Sequence, residues 1–350
     1  MSGALTVIIA ILVFSFLIFI HEFGHYIFAR IFKVKIYEFS IGMGPRLLSY
    51  TSKKTGIRYS LAVFPIGGFV SMAGEDDETD DPNAFDKKPA WQRFIVTLAG
   101  AGVNIVAGFL AMLIFVMCSN IGGTTVAGFL DKEQTGFEIS SSESGLMMGD
   151  EIIAIDGKRV TIADQLSYEI MRRGTEPLDI TVIRNGKEEV IKDVVFPGAS
   201  EQGQSFGVMD FKVYREEKTF GSVMSYTWQK SFLIVRMCWE SIYDLITGRY
   251  TAEAISGPVG ISVAIGDAAK GGFLQLLHIT TLISINLGVM NLLPIPALDG
   301  GRLLTLLFEM ITRRRVPKKA ERMINGIGLI VLLALSFGIM IKDVVQLIIG

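Results

Sequence analysis

The sequence predicts a polytopic α-helical membrane protein with four transmembrane helices. A strand-rich segment separates the first two helices, and a small α+β domain is inserted after the second. Three observations carry this reading. Of 350 residues, 50% are hydrophobic and only 19% charged, with a mean hydropathy of +0.46, too apolar for an ordinary soluble globule. Four runs are long enough to cross a bilayer core, which takes roughly 20 apolar residues. The basic residues are distributed unevenly around those runs.

The first run extends from Ala4 to about Phe32 and ends in "FLIFIHEFGH". It has no basic n-region and no small-residue cleavage site, and its apolar stretch is too long for a secretory leader, so it is expected to be a retained helix. Phe94–Cys118 and Met323 to about Ile349 are the next clean spans. The fourth, Phe273–Pro294, is apolar apart from His278, Asn286, Asn291 and a few hydroxyls. Ten Lys or Arg fall between Arg30 and Arg93 and seven between Arg302 and Arg322, whereas 119–270 carries 15 basic against 22 acidic residues. Basic loops stay on the cytoplasmic side, so 119–270 and both termini are expected outside. The formal net charge of −2 gives no reason to expect a nucleic-acid partner.

Between the first two spans, "IYEFSIGMGPRLLSY", "GIRYSLAVF" and "PIGGFVSMAG" are β-branched or aromatic runs punctuated by Gly and Pro, the pattern of strands and turns. The acidic run "EDDETDDPN" that follows reads as a solvated loop. Trp91 and Arg93 suit an interfacial anchor. Residues 121–213 alternate strand-like runs with one helical stretch, "IADQLSYEIMRRG". Residues 219–250 are long enough to span, but Lys230, Arg236, Glu240 and Asp244 fall inside, and the last three share one helical face. An amphipathic helix on the outer membrane surface or on the protein is therefore expected, with a linker to residue 270. The two cysteines, Cys118 and Cys238, form no CxxC pair, which excludes a disulfide framework or thiolate metal site. Both are expected as small buried apolar residues.

Ionisable groups at membrane depth are costly and point to function. HExxH on a helix puts His21 and His25 one turn apart on one face, able to share a zinc ion, with Glu22 beside them. Zinc lowers the pKa of a water it binds to about 7, and Glu22 would take that proton and deliver it to the leaving amine. A catalytic zinc takes three protein ligands and leaves one position open. His278 is the only other histidine, about 15 residues before Pro294 and hence about 23 Å from that end along a helix, too near the outer face to reach. The better candidate is Asp299 in "NLLPIPALDGGR", where two prolines break the helix and Gly300 and Gly301 leave room. Locally, Asp299 could equally cap the following helix; the need for a third ligand favours zinc. His21 lies 17 residues beyond Ala4, roughly 25 Å into the membrane, and Asp299 meets that depth only if 219–250 does not cross.

Residues 121–213 resemble a PDZ domain. "SGLMMGDEIIAIDGKRV" is close to that family's signature, with Gly149 and Asp150 at the turn and Ile152, Ile153 and Ile155 in the core. Such a domain binds a peptide by strand addition. With HEFGH, NLLPIPALDGG and this insert in order, the chain resembles the bacterial site-2 protease family of intramembrane zinc metalloproteases, in its RseP-like branch. "FDKKPAWQRFIVTLAGAGVN" and "ISGPVGIS" also look like family segments, although Ala101 stands where the family usually has Pro. The resemblance implies one zinc ion held by His21, His25 and Asp299, with Glu22 as general base. It implies substrates that are transmembrane proteins, such as anti-sigma factors or signal-peptide remnants, and a multi-pass place in the bacterial plasma membrane. Asn286 and Asn291 match family asparagines near the substrate path; interhelical hydrogen bonding is their alternative role. Membrane-reentrant β-hairpins in this region of the family suggest that Ile66, Gly67, Gly68, Phe69 and Val70 offer an edge to an unwound substrate strand. The expected organisation is a first membrane half at 1–120, the PDZ domain at 121–213, the surface helix and linker at 214–270 and a second membrane half at 271–350.

Overall fold

The computed structural model describes residues 3–75, 79–130, 139–201, 204–249 and 257–349. In chain order the elements are α1 (Gly3–Ile31), β1 (Ile36–Thr51), β2 (Arg58–Met72), α2 (Ala90–Cys118), β3 (Gly122–Phe129), β4 (Glu151–Ile155), β5 (Lys158–Arg159) and α3 (Ala163–Arg173). These are followed by β6 (Leu178–Arg184), β7 (Lys187–Val194), β8 (Gly198–Glu201), β9 (Gln204–Gly207), β10 (Phe211–Arg215) and α4 (Phe220–Ile246). The chain ends with α5 (Pro258–Lys270), α6 (Phe273–Asn291), α7 (Asp299–Thr312) and α8 (Lys318–Ile349). Among the described residues, four helices are long and apolar enough to cross a membrane, over Leu5–Ile31, Ala90–Cys118, Phe273–Asn291 and Lys318–Val345. That is the number the sequence predicts, and α4 is not among them.

The chain divides into two compact units, Met1–Met112 with Ile255–Gly350, and Leu113–Ala254. In the first, β1 and β2 are long and bent. Residues 36–41 of β1 pair with 68–72 on one side and 58–61 on the other, and 46–51 continue along 58–62. Two strands thus make a four-segment sheet in the order 68–72, 36–41, 58–62, 46–51. The outer edge of 68–72 carries no further strand among the described residues. Val34, Ile36, Phe39, Val70 and Met72 pack with Ala29 of α1, with Phe85 just before α2 and with Val96 of α2, so one end of the sheet is clamped against two membrane helices. The other end exposes Met43, Leu47, Leu48, Tyr50 and Phe64. Residues 258–270, which the sequence pattern leaves in a linker, form α5, and Asp343 of α8 accepts the Gly257 and Gly260 N–H groups at its start at 2.9 and 3.0 Å.

In the second unit, a sheet of order β10-β3-β4-β6-β7, with β5 beside β4, accompanies a β8–β9 hairpin. Its core includes Val126, Ile152, Ile155, Leu166, Ile170, Val182 and Phe211. Ile153 is only half-buried. A register shift between Ile152 and Ala154 brings residues 152 and 155 to the same face, leaving 153 on the other. Gly149 takes φ +89°, and the Asp150 carboxylate accepts the Met147 N–H at 2.8 Å and both arms of Arg184 at 2.7 Å.

The charged face of α4 meets α3. Arg172 pairs with Glu240 at 2.5 Å and Asp244 at 2.7 Å, Arg236 pairs with Glu169, and Lys230 reaches Asp164 at 2.8 Å. Burial pushes the Glu240 carboxyl up, but hydrogen bonds from Tyr168, Arg236 and Lys158 outweigh that and hold it at about 2. The charges that argue against a crossing are therefore satisfied within the protein. The opposite face leaves Trp228, Phe232, Trp239, Tyr243 and Ile246 exposed. Of the cysteines, Cys238 is half-buried, and Cys118 is exposed rather than buried, because its side chain points outward at the end of α2.

Candidate metal centre

Two glycines, Gly24 of α1 and Gly100 of α2, let these helices approach closely at HEFGH. Gly24 sits against the α2 backbone, where an added Cβ would lie 2.9 Å from the Ala99 carbonyl carbon and 3.0 Å from Gly100 Cα. Gly100 in turn leaves space for both imidazoles. Without a side chain, Gly24 lets the α2 backbone approach between the two histidines.

The carboxylate comes from the opposite end of the sequence. Pro294 and Pro296 interrupt the chain after α6, Ala297 takes φ +73°, and α7 begins at Asp299 with Leu298 as the extended cap residue. Asp299 is the first helical residue and not the cap, which removes the alternative reading of its side chain. Its Oδ2 lies 3.2 Å from His21 Nε2 and 3.3 Å from His25 Nε2, and the two Nε2 atoms are 3.3 Å apart. His21, His25 and Asp299 are the one group of metal-ligating side chains this tight among the described residues.

Three donor atoms in a near-equilateral triangle fit a tetrahedral ion well. Zinc–donor distances of about 2.0–2.1 Å place the corners of a tetrahedron roughly 3.3–3.4 Å apart. Asp299 Oδ2 is buried yet makes no well-formed hydrogen bond among the described residues, as expected of a lone pair aimed at a common centre. His25 Nδ1 donates to the Val96 carbonyl at 2.9 Å, which leaves its Nε2 as the donor atom. The residues present fit a zinc ion.

Glu22 stands beside the triangle. A Cβ at Gly68 would lie 3.2 Å from Glu22 Cγ, and the Val70 backbone N–H faces the Glu22 carboxylate. Glu22, His25, Phe69, Val70, Met72, Glu75, Val96, Thr97 and Arg302 line one cavity of about 240 Å³. The edge segment 67–70 is thus adjacent to the cluster, with Gly68 and Val70 buried and Phe69 exposed. Ile66 contributes backbone to β2, and its side chain lies outside the described residues. So do Asp76, Asp77 and Glu78 of the acidic run, and Ile255 and Ser256. Asn286 is exposed on α6 and Asn291 is half-buried at its end; neither lines the cavity or joins the donor group. His278 is likewise outside that group.

One residue at the site was not anticipated from the sequence. Asn104 of α2 is fully buried, and its side-chain amide lies 3.3 Å from His21 Nδ1. The available signal was a polar side chain within a span, the one carboxamide between Arg93 and Cys118.

Fold and site together define a class: a multi-pass membrane protein with three candidate metal donors converging at one point and, beside them, a carboxylate that lines one cavity with His25. The chain belongs to Peptidase family M50, which matches residues 9–335. It is 33% identical over 339 residues, 97% of each chain, to a candidate zinc metalloprotease of Clostridium acetobutylicum. Another candidate zinc metalloprotease, from Fusobacterium nucleatum, is 32% identical over 358 residues, covering 98% of this chain and 99% of the relative. The zinc metalloprotease RasP of Geobacillus kaustophilus is 29% identical over 421 residues, 97% of each chain.

Proposed function

We propose that this chain is a zinc metalloprotease of the site-2 type that hydrolyses a peptide bond within a transmembrane segment of another membrane protein. The observation that carries the reading is the triangle of His21, His25 and Asp299 donor atoms, 3.2–3.3 Å on each side, beside Glu22 on a membrane-spanning helix. In this reading His21, His25 and Asp299 hold zinc, which when bound supplies a Lewis acid that polarises the scissile carbonyl and acidifies water. Glu22 would accept a proton from the attacking water as its oxygen bonds to the scissile carbonyl carbon, and pass that proton to the leaving nitrogen as the C–N bond breaks.

A helical substrate buries its peptide groups in its own hydrogen bonds, so it must unwind before attack. The free edge of 68–72 supplies partners for an extended segment, and Gly68 keeps that edge close to Glu22. The apolar tip formed by Leu47, Leu48, Tyr50 and Phe64 supports insertion of this sheet into the membrane, where paired backbone is required. Asn286 and Asn291 are assigned to the substrate path on family likeness alone. Positive-inside asymmetry supports a cytoplasm-proximal site with both termini and 121–213 outside. The sheet order and helix of 121–213 support a PDZ domain that admits substrates already trimmed of bulky outer domains. The α4 face bearing Trp228, Phe232, Trp239 and Tyr243 suits the membrane–water interface.

The test is Glu22→Gln in the purified full-length protein, with zinc measured by mass spectrometry and cleavage of a transmembrane-helix substrate followed in proteoliposomes. Zinc is expected to stay at one per chain while cleavage disappears. A Glu22→Gln protein that still cuts, or a wild type without zinc, defeats the assignment.

A further inference from the structure

The two histidines are steadied from behind by a single face of α2. Val96, Gly100 and Asn104 recur every four residues and so align along the helix. Val96 offers its carbonyl to His25 Nδ1 at 2.9 Å, Gly100 makes room for both rings, and Asn104 reaches His21 Nδ1 at 3.3 Å. The Asn104 backbone is itself fixed, since Ser284 of α6 donates to its carbonyl at 2.8 Å, and its side chain is fully buried.

As drawn, the amide nitrogen of Asn104 faces His21 Nδ1, and Oδ1 is buried without a hydrogen-bond partner among the described residues. The two orientations of a carboxamide are isosteric, and the hydrogen-bond network has to choose between them. A neutral imidazole carries one N–H. With His21 Nε2 turned to the donor triangle, that N–H must be on Nδ1, and an NH2 group pointing at it would set donor against donor. We infer that Asn104 is the positioning residue for His21: its side-chain oxygen accepts the Nδ1–H, fixes the tautomer and ring angle, and so makes Nε2 a metal donor. This rests on the zinc assignment above. It goes beyond it by giving a buried residue of α2 control over how well one ligand binds, and by setting the orientation of its amide.

Partners of this kind contribute roughly 10–100-fold to metal affinity. The experiment is competition for Zn2+ between a chromophoric chelator and the full-length protein in detergent, comparing wild type, Asn104→Asp and Asn104→Ala. A carboxylate also accepts Nδ1–H, so Asn104→Asp is expected to stay within about threefold of wild type while Asn104→Ala weakens zinc binding about 10–100-fold. If the aspartate variant falls as far as the alanine variant, or the alanine variant binds like wild type, the inference is overturned. Should both variants unfold, histidine 15N–1H spectra of zinc-loaded wild type decide: an Nδ1–H on His21 shifted downfield by a hydrogen bond supports the inference, and a bare Nδ1, or an Nδ1–H without that shift, refutes it. A wild type that takes up no zinc at all would instead bring down the functional reading, a separate result.

Discussion

Replacing Gly100 with alanine separates packing from propensity. An alanine Cβ would lie 2.5 Å from His25 Cε1 and 2.9 Å from His21 Cε1, and closer still to His25 Nε2. Carbon atoms in van der Waals contact are about 3.5–4.0 Å apart, so the His25 ring has to retreat by about 1 Å. The opposing backbone cannot yield, because Gly24 already brings α1 against Ala99 and Gly100. A shift of that size opens the donor triangle, and misplacement by about 1 Å commonly costs around 100-fold in rate, or about 2.7 kcal/mol of transition-state stabilisation. Helix propensity acts in the opposite direction, favouring Ala over Gly by about 0.8–1.0 kcal/mol. Gly100→Ala is therefore expected to lose at least about 100-fold in single-turnover cleavage in proteoliposomes and to retain less zinc after dialysis. If it instead holds zinc fully, cuts at the wild-type rate and melts higher, propensity alone governs the site and the cradle argument is refuted.

Other outcomes follow from the edge strand and from the α3–α4 charges. Val70→Pro removes the N–H that faces Glu22 and interrupts the free edge, so cleavage should fall sharply while zinc content is unchanged; unaltered cleavage would dismiss strand addition at this edge. Arg172→Ala leaves Asp244, which is 3% exposed, without its guanidinium and should destabilise the unit holding α3 and α4 by about 3–5 kcal/mol, measured by hydrogen exchange of peptides from both helices. Glu240 is held at about 2, below its ordinary 4.5. A lowered carboxylate contributes stability above the unfolded value and loses it as pH falls through the folded one. Protection of α3 and α4 should therefore decline between about pH 4.5 and 2, and Glu240→Gln should flatten that decline.

Much of the membrane architecture was legible because hydrocarbon imposes a simple rule: a span must be long, apolar and internally hydrogen-bonded. The same rule made His21 and His25 conspicuous, and the need for a third donor led to Asp299. Sequence distance carries no penalty once helices pack, so a partner 278 positions beyond His21 could be named from chemistry alone. Asn104 escaped because a lone asparagine in a helix has many uses, and only the packed structure shows which atom its amide meets. The two-register curl of β1 and β2 was equally out of reach. Local patterning identifies strands, but the pairing of 36–41 with both 58–61 and 68–72 depends on how far each strand bends.

With zinc held as proposed, the donor triangle would link the stability of the membrane unit to its metal. His21 and His25 belong to α1, and Asp299 belongs to α7, joined to α6 by a broken, proline-containing turn. Without an ion, three atoms rich in lone-pair density stand 3.2–3.3 Å apart in surroundings poor in water, where unmet polar groups are costly. With zinc as proposed, the same atoms become the strongest tie between two ends of the chain. Binding energy at such a site is also folding energy, so α7 should be the element released first on chelation. Asn104 and Val96 oppose that release only on the α1 side, because both act on imidazoles and neither touches Asp299. Hydrogen exchange of the full-length protein with and without chelator should therefore rise in 292–305 before it rises in 16–31. Equal or reversed exposure would mean that α7 is held by its own packing, and that the ion fills a site the helices had already built.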